Sequence, residues 1–221
     1  MTTQSLELPH TLVIDDWETP ATKYPLVKYG SVEINRVKYY RNFYHMEGVN
    51  GYIFFKVTKP IQITQLKINN RVWMVDDPLH WYGMKTLSEH SKSNVLVGGL
   101  GLGLLVHALV ENINVTSIDV VEISSDVKNL VSRFLPNSIK WIVYKDDIYT
   151  FPITKLYDTI ILDLWVGSGS RNMFYEMLSA YTYFKTKCPS ANVYIWGYGE
   201  SWLNPAVDDN IRKKLLNGRR L

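Results

Sequence analysis

Three carboxylates of this chain stand where strand-like runs of apolar residues end: Glu122, Asp147 and Asp163. In an open α/β sheet the carboxyl ends of the parallel strands meet at one edge, and ligands bind at that edge. Carboxylates accept hydrogen bonds and attract cations. Three of them at one edge would suit a ligand with many donors, such as ribose hydroxyls, an adenine amino group or an ammonium. We therefore expect these acids to line one site.

A glycine-rich turn precedes the first of these acids. The run 95–97 predicts a buried strand, and Gly99, Gly101 and Gly103 follow it before an apolar helix over 104–110. Glu122 lies 19 residues after Gly103, at the end of the next predicted strand. This order is typical of folds that bind a nucleotide or nucleoside, where the acid accepts bonds from ribose hydroxyls. The remaining alternative is a glycine turn of some other α/β protein.

The elements that must position this turn form a regular α/β series. Alternating strands and helices predict a parallel sheet with helices on both faces. A linker helix over 78–89 leads into it, capped by Asp76 or Asp77. The other predicted elements are strands at 116–121, 139–144, 159–162 and 191–196 and helices at 125–134, 172–185 and 210–216.

The first part of the chain has a different pattern. Residues 1–23 predict an irregular arm with one short strand at 11–14. Runs rich in β-branched and aromatic residues then alternate with turn signals, which predicts an antiparallel sheet. These runs are 32–34, 37–44, 52–57, 61–68 and 72–75. The sequence thus predicts a small antiparallel β-domain over 1–75 and a Rossmann-like domain over 76–221.

Composition narrows the class of protein. The chain has 221 residues, 46% of them hydrophobic, which favours a globular fold with a substantial core. No apolar run is long enough for a membrane span, and no secretion signal opens the chain. The single cysteine, Cys188, suits a reducing compartment, so we expect a cytoplasmic protein without membrane contact.

The charge and the histidines give weaker indications. The net charge of +3 does not require nucleic acid, although basic residues crowd the region 212–220 and leave such binding possible. The five histidines are scattered without a metal-ligand spacing, so no metal is expected.

Four motifs in this order resemble class I S-adenosylmethionine-dependent methyltransferases, and most closely their spermidine-synthase-like branch. The motifs are VLVGGLGLG at 95–103, VVEIS at 120–124, DIYTF at 147–151 and YDTIILD at 157–163. The order of β-domain, linker helix and nucleotide core is also that of the branch, and compact proteins of this shape occur in bacteria and bacteriophages. The resemblance implies a class I methyltransferase sheet and S-adenosylmethionine as the cofactor, without a metal.

The resemblance also implies roles for single residues. The three glycines of the turn would let the backbone pass close to the methionine part of the cofactor. Glu122 would accept bonds from both ribose hydroxyls. Asp147 would accept a bond from the adenine amino group, and the amide of Ile148 would face a ring nitrogen. Asp163 would lie near the reacting centre, beside the sulfonium or the substrate amine.

The sequence departs from the polyamine synthases of that branch where they grip a diamine. Val166 replaces their second acid after the strand, and Trp73 replaces a glutamine. His80 and Tyr82 stand in the linker helix in place of a tyrosine and an acid. A dication without charge partners would bind poorly. A methyltransferase of unassigned substrate is therefore the favoured interpretation, and we expect that substrate to be a small molecule. The alternatives are an aminopropyltransferase using decarboxylated S-adenosylmethionine and a non-catalytic binding module.

Methyl transfer requires the enzyme to position a nucleophile and, for some nucleophiles, to accept a proton. The catalytic candidates are Asp163, His80 and Tyr82, and the substrate-binding candidates are Trp165 and Trp73. Each has a structural alternative: Asp163 could cap a helix, His80 could be packed in the linker, and Trp165 could belong to the core.

A homodimer is the expected assembly. The N-terminal strands are long and apolar for a small sheet, and a few antiparallel strands leave faces and edges that favour pairing with another chain. The spermidine-synthase-like branch commonly assembles as dimers through this region, which the resemblance would extend to this chain.

Overall fold

The computed structural model describes residues 12–48, 51–166 and 171–196. The described part of the first 75 residues forms two small sheets. The first has three strands in the order β1-β5-β4, and the second has four in the order β2-β3-β6-β7. The strands are β1 Leu12–Ile14, β2 Val27–Tyr29, β3 Val32–Tyr39, β4 Asn42–Gly48, β5 Gly51–Val57, β6 Ile61–Ile68 and β7 Arg71–Val75. A short 3-10 helix, Pro20–Lys23, lies between β1 and β2.

The rest of the described chain forms a parallel sheet of five strands with helices on both faces, which confirms the predicted fold class. Its strand order is β10-β9-β8-β11-β12. The strands are β8 Ser93–Gly98, β9 Val115–Glu122, β10 Trp141–Lys145, β11 Thr159–Leu162 and β12 Asn192–Ile195. The helices are α1 Pro78–Glu89, α2 Leu104–Glu111, α3 Ser125–Val131 and α4 Arg171–Lys187.

The central strands are apolar on both faces because helices cover both. Along β8, Val95 and Val97 belong to a buried cluster that includes residues of α1, α2 and α3. Leu96, which points the other way, belongs to a second cluster with Phe184 and other residues of α4. The sequence of a strand that is buried on both faces is a nearly continuous hydrophobic run, and β8 and β11 have this pattern.

The four-stranded N-terminal sheet packs directly on this core. Val32, Ile34, Leu66 and Met74 belong to the same buried cluster as the residues of α2. The N-terminal sheet therefore extends the hydrophobic core of the parallel sheet, and the expected domain boundary at residue 75 stays a prediction.

Several details differ from the expectations. The predicted single antiparallel set is divided between two sheets, and β1 pairs with β5 in parallel. The helix expected over 125–134 ends at Val131 and continues as a 3-10 turn, Ser132–Phe134. Asp77 and not Asp76 is the cap of α1, because its side chain accepts a bond from the amide of His80. The expected helix at 210–216 and the basic cluster at 212–220 lie outside the described residues.

No helix of the described residues is both long and apolar enough to span a membrane.

Asp76 joins the N-terminal sheet to α1. Its carboxylate is fully buried and accepts bonds from the hydroxyl of Thr19 at 2.5 Å and the amide of Thr64 at 2.6 Å. Its carbonyl oxygen accepts a bond from the indole of Trp17 at 2.9 Å. Burial raises the pKa of Asp76, although the bonds from Thr19 and Thr64 act against that shift. One buried acid thus joins Trp17 and Thr19 to β6 and to the start of α1.

Replacing Asp76 by alanine should destabilise the fold by about 2–4 kcal/mol, because the donors of Thr19 and Thr64 would stay buried without an acceptor. Asp76→Asn should cost less, since its amide can still accept from Thr64 and donate to Thr19. Urea unfolding of both variants measures the difference. Asp15→Ala, at an exposed position of the same segment, is the control and should change stability by less than about 0.5 kcal/mol. An Asp76→Ala variant as stable as this control would contradict the assignment.

Candidate functional site

Glu122 ends β9 and is bonded to the glycine turn. Its side chain is only 7% exposed. One carboxylate oxygen accepts a bond from the amide of Leu100 at 2.8 Å, and the other accepts one from Ser124 at 2.7 Å. Burial raises the pKa of Glu122, while these two bonds and the charge of Lys145 act in the opposite direction. Each oxygen keeps a free lone pair, so the carboxylate can also accept bonds from a ligand.

The glycines of the turn adopt backbone conformations that suit glycine. Gly99, Gly101 and Gly103 have φ of 90°, 52° and 74°, in the left-handed region. A Cβ atom on Gly99 would collide with the carbonyl oxygen of Asp163. The turn between β8 and α2 therefore needs glycine at Gly99 for its conformation and for close packing against the end of β11.

Gly101 has a protein neighbour that the sequence did not predict. A Cβ atom there would collide with the sulfur of Met74, and this sulfur also accepts a bond from the amide of Leu102 at 3.1 Å. We expected the space beside this glycine to belong to a ligand. The structure places a side chain of β7 there, so the requirement for glycine at this position has an internal cause.

Asp163 directly follows β11 at the same edge of the sheet. Its amide donates to the carbonyl of Gly98 at 2.9 Å, which fixes it beside the turn. Burial raises the pKa of Asp163 to about 6; the charge of His80 lowers it, and that of Glu122 raises it. Asp163 thus lies within electrostatic reach of both His80 and Glu122.

His80 reaches this edge from α1. Its ring nitrogen Nδ1 lies 3.2 Å from a carboxylate oxygen of Asp77. The ring centre is 5.1 Å from that of Trp196, which follows β12. Burial alone would lower the pKa of His80, but the bond and charge of Asp77, together with Asp163 and Asp76, raise it. The Asp-x-x-His spacing at the helix cap was the available sequence signal for this pair, and only the capping role of the acid was predicted from it.

Asp147 and Ile148 lie on the loop after β10. Asp147 accepts a bond from the amide of Tyr149 at 3.0 Å, which stabilises a tight turn. Ile148 is buried against Gly98. The neighbouring amide of Asp146 donates to the carbonyl of Glu122 at 3.3 Å. The structure thus brings both residues to the edge that carries Glu122.

Trp165 lies on the side of the sheet covered by α4. Its indole N–H donates to the carboxylate of Glu176 at 3.2 Å. Both residues line an open cavity of about 750 Å³. The other lining residues are Tyr149, Leu164, Tyr175, Ser179, Ala180 and Tyr183.

Two candidates are not brought into the group around Asp163. Tyr82 is 39% exposed, and its ring lies 6.0 Å from that of Trp17. Since consecutive helical residues turn by about 100°, Tyr82 points about 200° away from His80 around α1. Trp73 is 46% exposed and is the extra residue of a β-bulge where β7 pairs with β6, next to Met74. Both residues are therefore weaker candidates than His80.

Within the described parts of the chain, no group of three or more histidine, cysteine, aspartate or glutamate side chains could hold a metal ion. Backbone amides bond to Glu122 and Asp147, and the ring of His80 lies within bonding distance of Asp77.

No protein-family model matches the chain, and no curated protein matches it significantly. Among solved structures, a dimethyladenosine transferase from Plasmodium falciparum is 18% identical, with a TM-score of 0.36, over 47% of this chain and 37% of that one. The plantazolicin methyltransferase BpumL in complex with S-adenosylhomocysteine is 16% identical, with a TM-score of 0.40, over 54% and 48%. The N-methyltransferase NodS from Bradyrhizobium japonicum is 14% identical, with a TM-score of 0.42, over 60% and 83%. The chain thus spans less than two thirds of the first two structures.

The carboxyl of Asp163 should titrate near pH 6, above the usual range for aspartate. His80→Gln should raise this pKa further because it removes a positive charge, whereas Glu122→Gln should lower it because it removes a negative one. Carboxyl ¹³C NMR of aspartate-labelled protein measures the shift, with Asp163→Asn for assignment and Glu111→Gln as a surface control. Shifts of the same sign in the two variants would contradict this arrangement of charges.

Proposed function

We propose that this protein is an S-adenosylmethionine-dependent methyltransferase. The observation that carries the proposal is Glu122, a buried acid at the end of a parallel strand whose carboxylate is bonded to an amide of the glycine turn. Folds that bind nucleosides use this arrangement to hold ribose hydroxyls. Asp163, beside the same turn, adds a second acid at the position where a positively charged centre would be stabilised.

The residues present fit such a cofactor. The free lone pairs of Glu122 would accept bonds from the two ribose hydroxyls. Asp147 would accept from the adenine amino group, and the amide of Ile148 would face a ring nitrogen. The backbone of the glycine turn would hold the methionine part of the cofactor.

The contribution of the chain to the reaction is positioning and charge. The bound sulfonium would supply an electrophilic methyl group. Asp163 would orient the incoming nucleophile, which must approach in line with the bond that breaks. His80 lies within electrostatic reach of Asp163, and its pKa is raised above the ordinary value, which would make the neutral ring a stronger proton acceptor.

The aminopropyltransferase and the non-catalytic binding module remain the alternatives. Val166 is exposed and apolar where the polyamine synthases carry a second acid, which disfavours a dicationic substrate. Calorimetric titration with S-adenosylmethionine and with its decarboxylated form distinguishes the methyltransferase from these two alternatives. Tighter binding of the decarboxylated form would favour aminopropyl transfer, and binding of neither would favour the non-catalytic module.

Glu122→Gln should weaken S-adenosylmethionine binding about 10- to 100-fold, or about 1–3 kcal/mol, because charge-assisted bonds to the ribose are lost. Isothermal titration calorimetry measures the affinity, and thermal unfolding without ligand shows whether the fold is intact. Glu111→Gln, an acid-to-amide change at an exposed position of α2, is the matched control. An unchanged dissociation constant in a folded Glu122→Gln variant would remove this residue from the site.

We also propose that the protein forms a homodimer through the three-stranded sheet, whose strand β4 presents Phe43 with 52% of its surface exposed. Light scattering at tens of micromolar should show a dimer, and Phe43→Glu should dissociate it because the variant places a charge on an apolar contact. Ile139→Glu, an exposed apolar position before β10, is the control. A monomeric intact chain would contradict the dimer, and a dimeric Phe43→Glu variant would move the contact elsewhere.

A further inference from the structure

Asp77 makes two bonds with one residue. The same carboxylate oxygen accepts the backbone amide of His80 at 3.0 Å and lies 3.2 Å from its ring nitrogen Nδ1. The side chain of Asp77 is only 13% exposed and that of His80 only 20%, so solvent competes weakly for these bonds. The N-cap of a helix needs only the first bond. The second bond fixes the ring.

A carboxylate at Nδ1 selects one form of the imidazole. Since an ionised carboxylate only accepts hydrogen bonds, the neutral ring carries its proton on Nδ1 and leaves Nε2 bare. When Nε2 takes up a proton, the resulting positive charge is stabilised by Asp77 at the other nitrogen. The pair therefore has the geometry of an oriented proton acceptor.

The ring lies where such an acceptor would be useful. It packs against Trp196, whose amide donates to the carbonyl of Leu162 at 2.9 Å, so both rings lie near the end of β11. The next residue is Asp163, beside the glycine turn. The charged groups that act on the ring are Asp77 on its own helix, Asp76 before that helix and Asp163 after β11.

We propose that Asp77 is a positioning residue that holds His80 as the acceptor of the proton lost by the methyl-accepting nucleophile. This inference rests on the proposed methyltransferase function. It assigns the pair a task that neither helix capping nor packing requires.

The step is balanced in atoms and charge. A lone pair of the nucleophile forms the new bond to the methyl carbon, and the electron pair of the breaking carbon–sulfur bond stays on sulfur, which becomes a neutral thioether. The proton of the nucleophile moves to Nε2 of His80. The substrate class is therefore a nucleophile that carries a proton, such as a hydroxyl or an amine with an N–H, and not a thioether or a tertiary amine.

The test observes His80 directly by long-range ¹H–¹⁵N NMR of histidine-labelled protein, assigned with His80→Gln. The neutral ring should be protonated on Nδ1. Bound S-adenosylmethionine should give His80 a pKa lower by at least ~0.5 than bound S-adenosylhomocysteine does, because only the former carries the sulfonium charge. In the protein without cofactor, Asp77→Asn should lower the pKa of His80 and reduce the fraction of its neutral ring that is protonated on Nδ1. The side-chain oxygen of the asparagine should still cap the helix.

Two comparisons keep the outcomes distinct. Glu89→Gln, an acid-to-amide change at an exposed position of the same helix, should leave His80 unchanged. Equal pKa values of His80 with the two cofactors bound, or a ring protonated on Nε2, would overturn the assignment of His80 while leaving cofactor binding intact. Absence of binding of either cofactor in calorimetry would overturn the proposed function itself, and the assignment with it.

Discussion

The site depends on the cost of burying one carboxylate. A charged acid removed from water is strongly destabilising unless donors replace its solvation. Glu122 meets this requirement with the amides of Leu100 and Ser124. These two amides belong to the glycine turn and to the cap of α3, so the acid fixes both elements relative to the end of β9. A ligand bound by the turn would therefore lie next to Glu122.

The N-terminal sheet takes part in this arrangement. Met74 of β7 packs beside Gly101 and accepts a bond from the amide of Leu102, which joins the turn to the N-terminal sheet. Asp76 follows directly and anchors the start of α1, the helix that presents His80. The strands that end at residue 75 thus help to determine where His80 lies, and a change in their packing would alter the contacts of the turn.

The elements that could be predicted from the sequence are those whose pattern lies within a few consecutive residues. The parallel strands are continuous apolar runs, and the acids stand at their ends, so the sheet and the edge that carries Glu122 and Asp163 could both be inferred. The pairing of β1 with β5 in parallel could not, because it depends on contacts between residues more than forty positions apart, such as Leu12 with Phe55. The contact of Met74 with Leu102, 28 positions further along the chain, escaped prediction because it is also a tertiary contact. The orientation of Tyr82 away from His80 could not be inferred either, because the face of a helix that meets the site depends on tertiary packing.

The groups around His80 are mostly acidic, and this excess of acids determines which ligands the site can bind. Asp76, Asp77 and Asp163 all raise the pKa of this one imidazole, and Glu122 adds a further negative charge beside Asp163. The charge of Arg36 lowers the pKa of Asp76, and that of Lys145 lowers the pKa of Glu122. For Asp163 the cation with this effect is His80. With His80 neutral, this edge carries an excess of negative charge in a half-buried setting, which a ligand cation would relieve. A sulfonium is such a cation, and its loss of charge on methyl transfer would coincide with the gain of a proton by His80. The positive charge would then stay among the same acids throughout the reaction, which is the arrangement that minimises the electrostatic cost of the transition state.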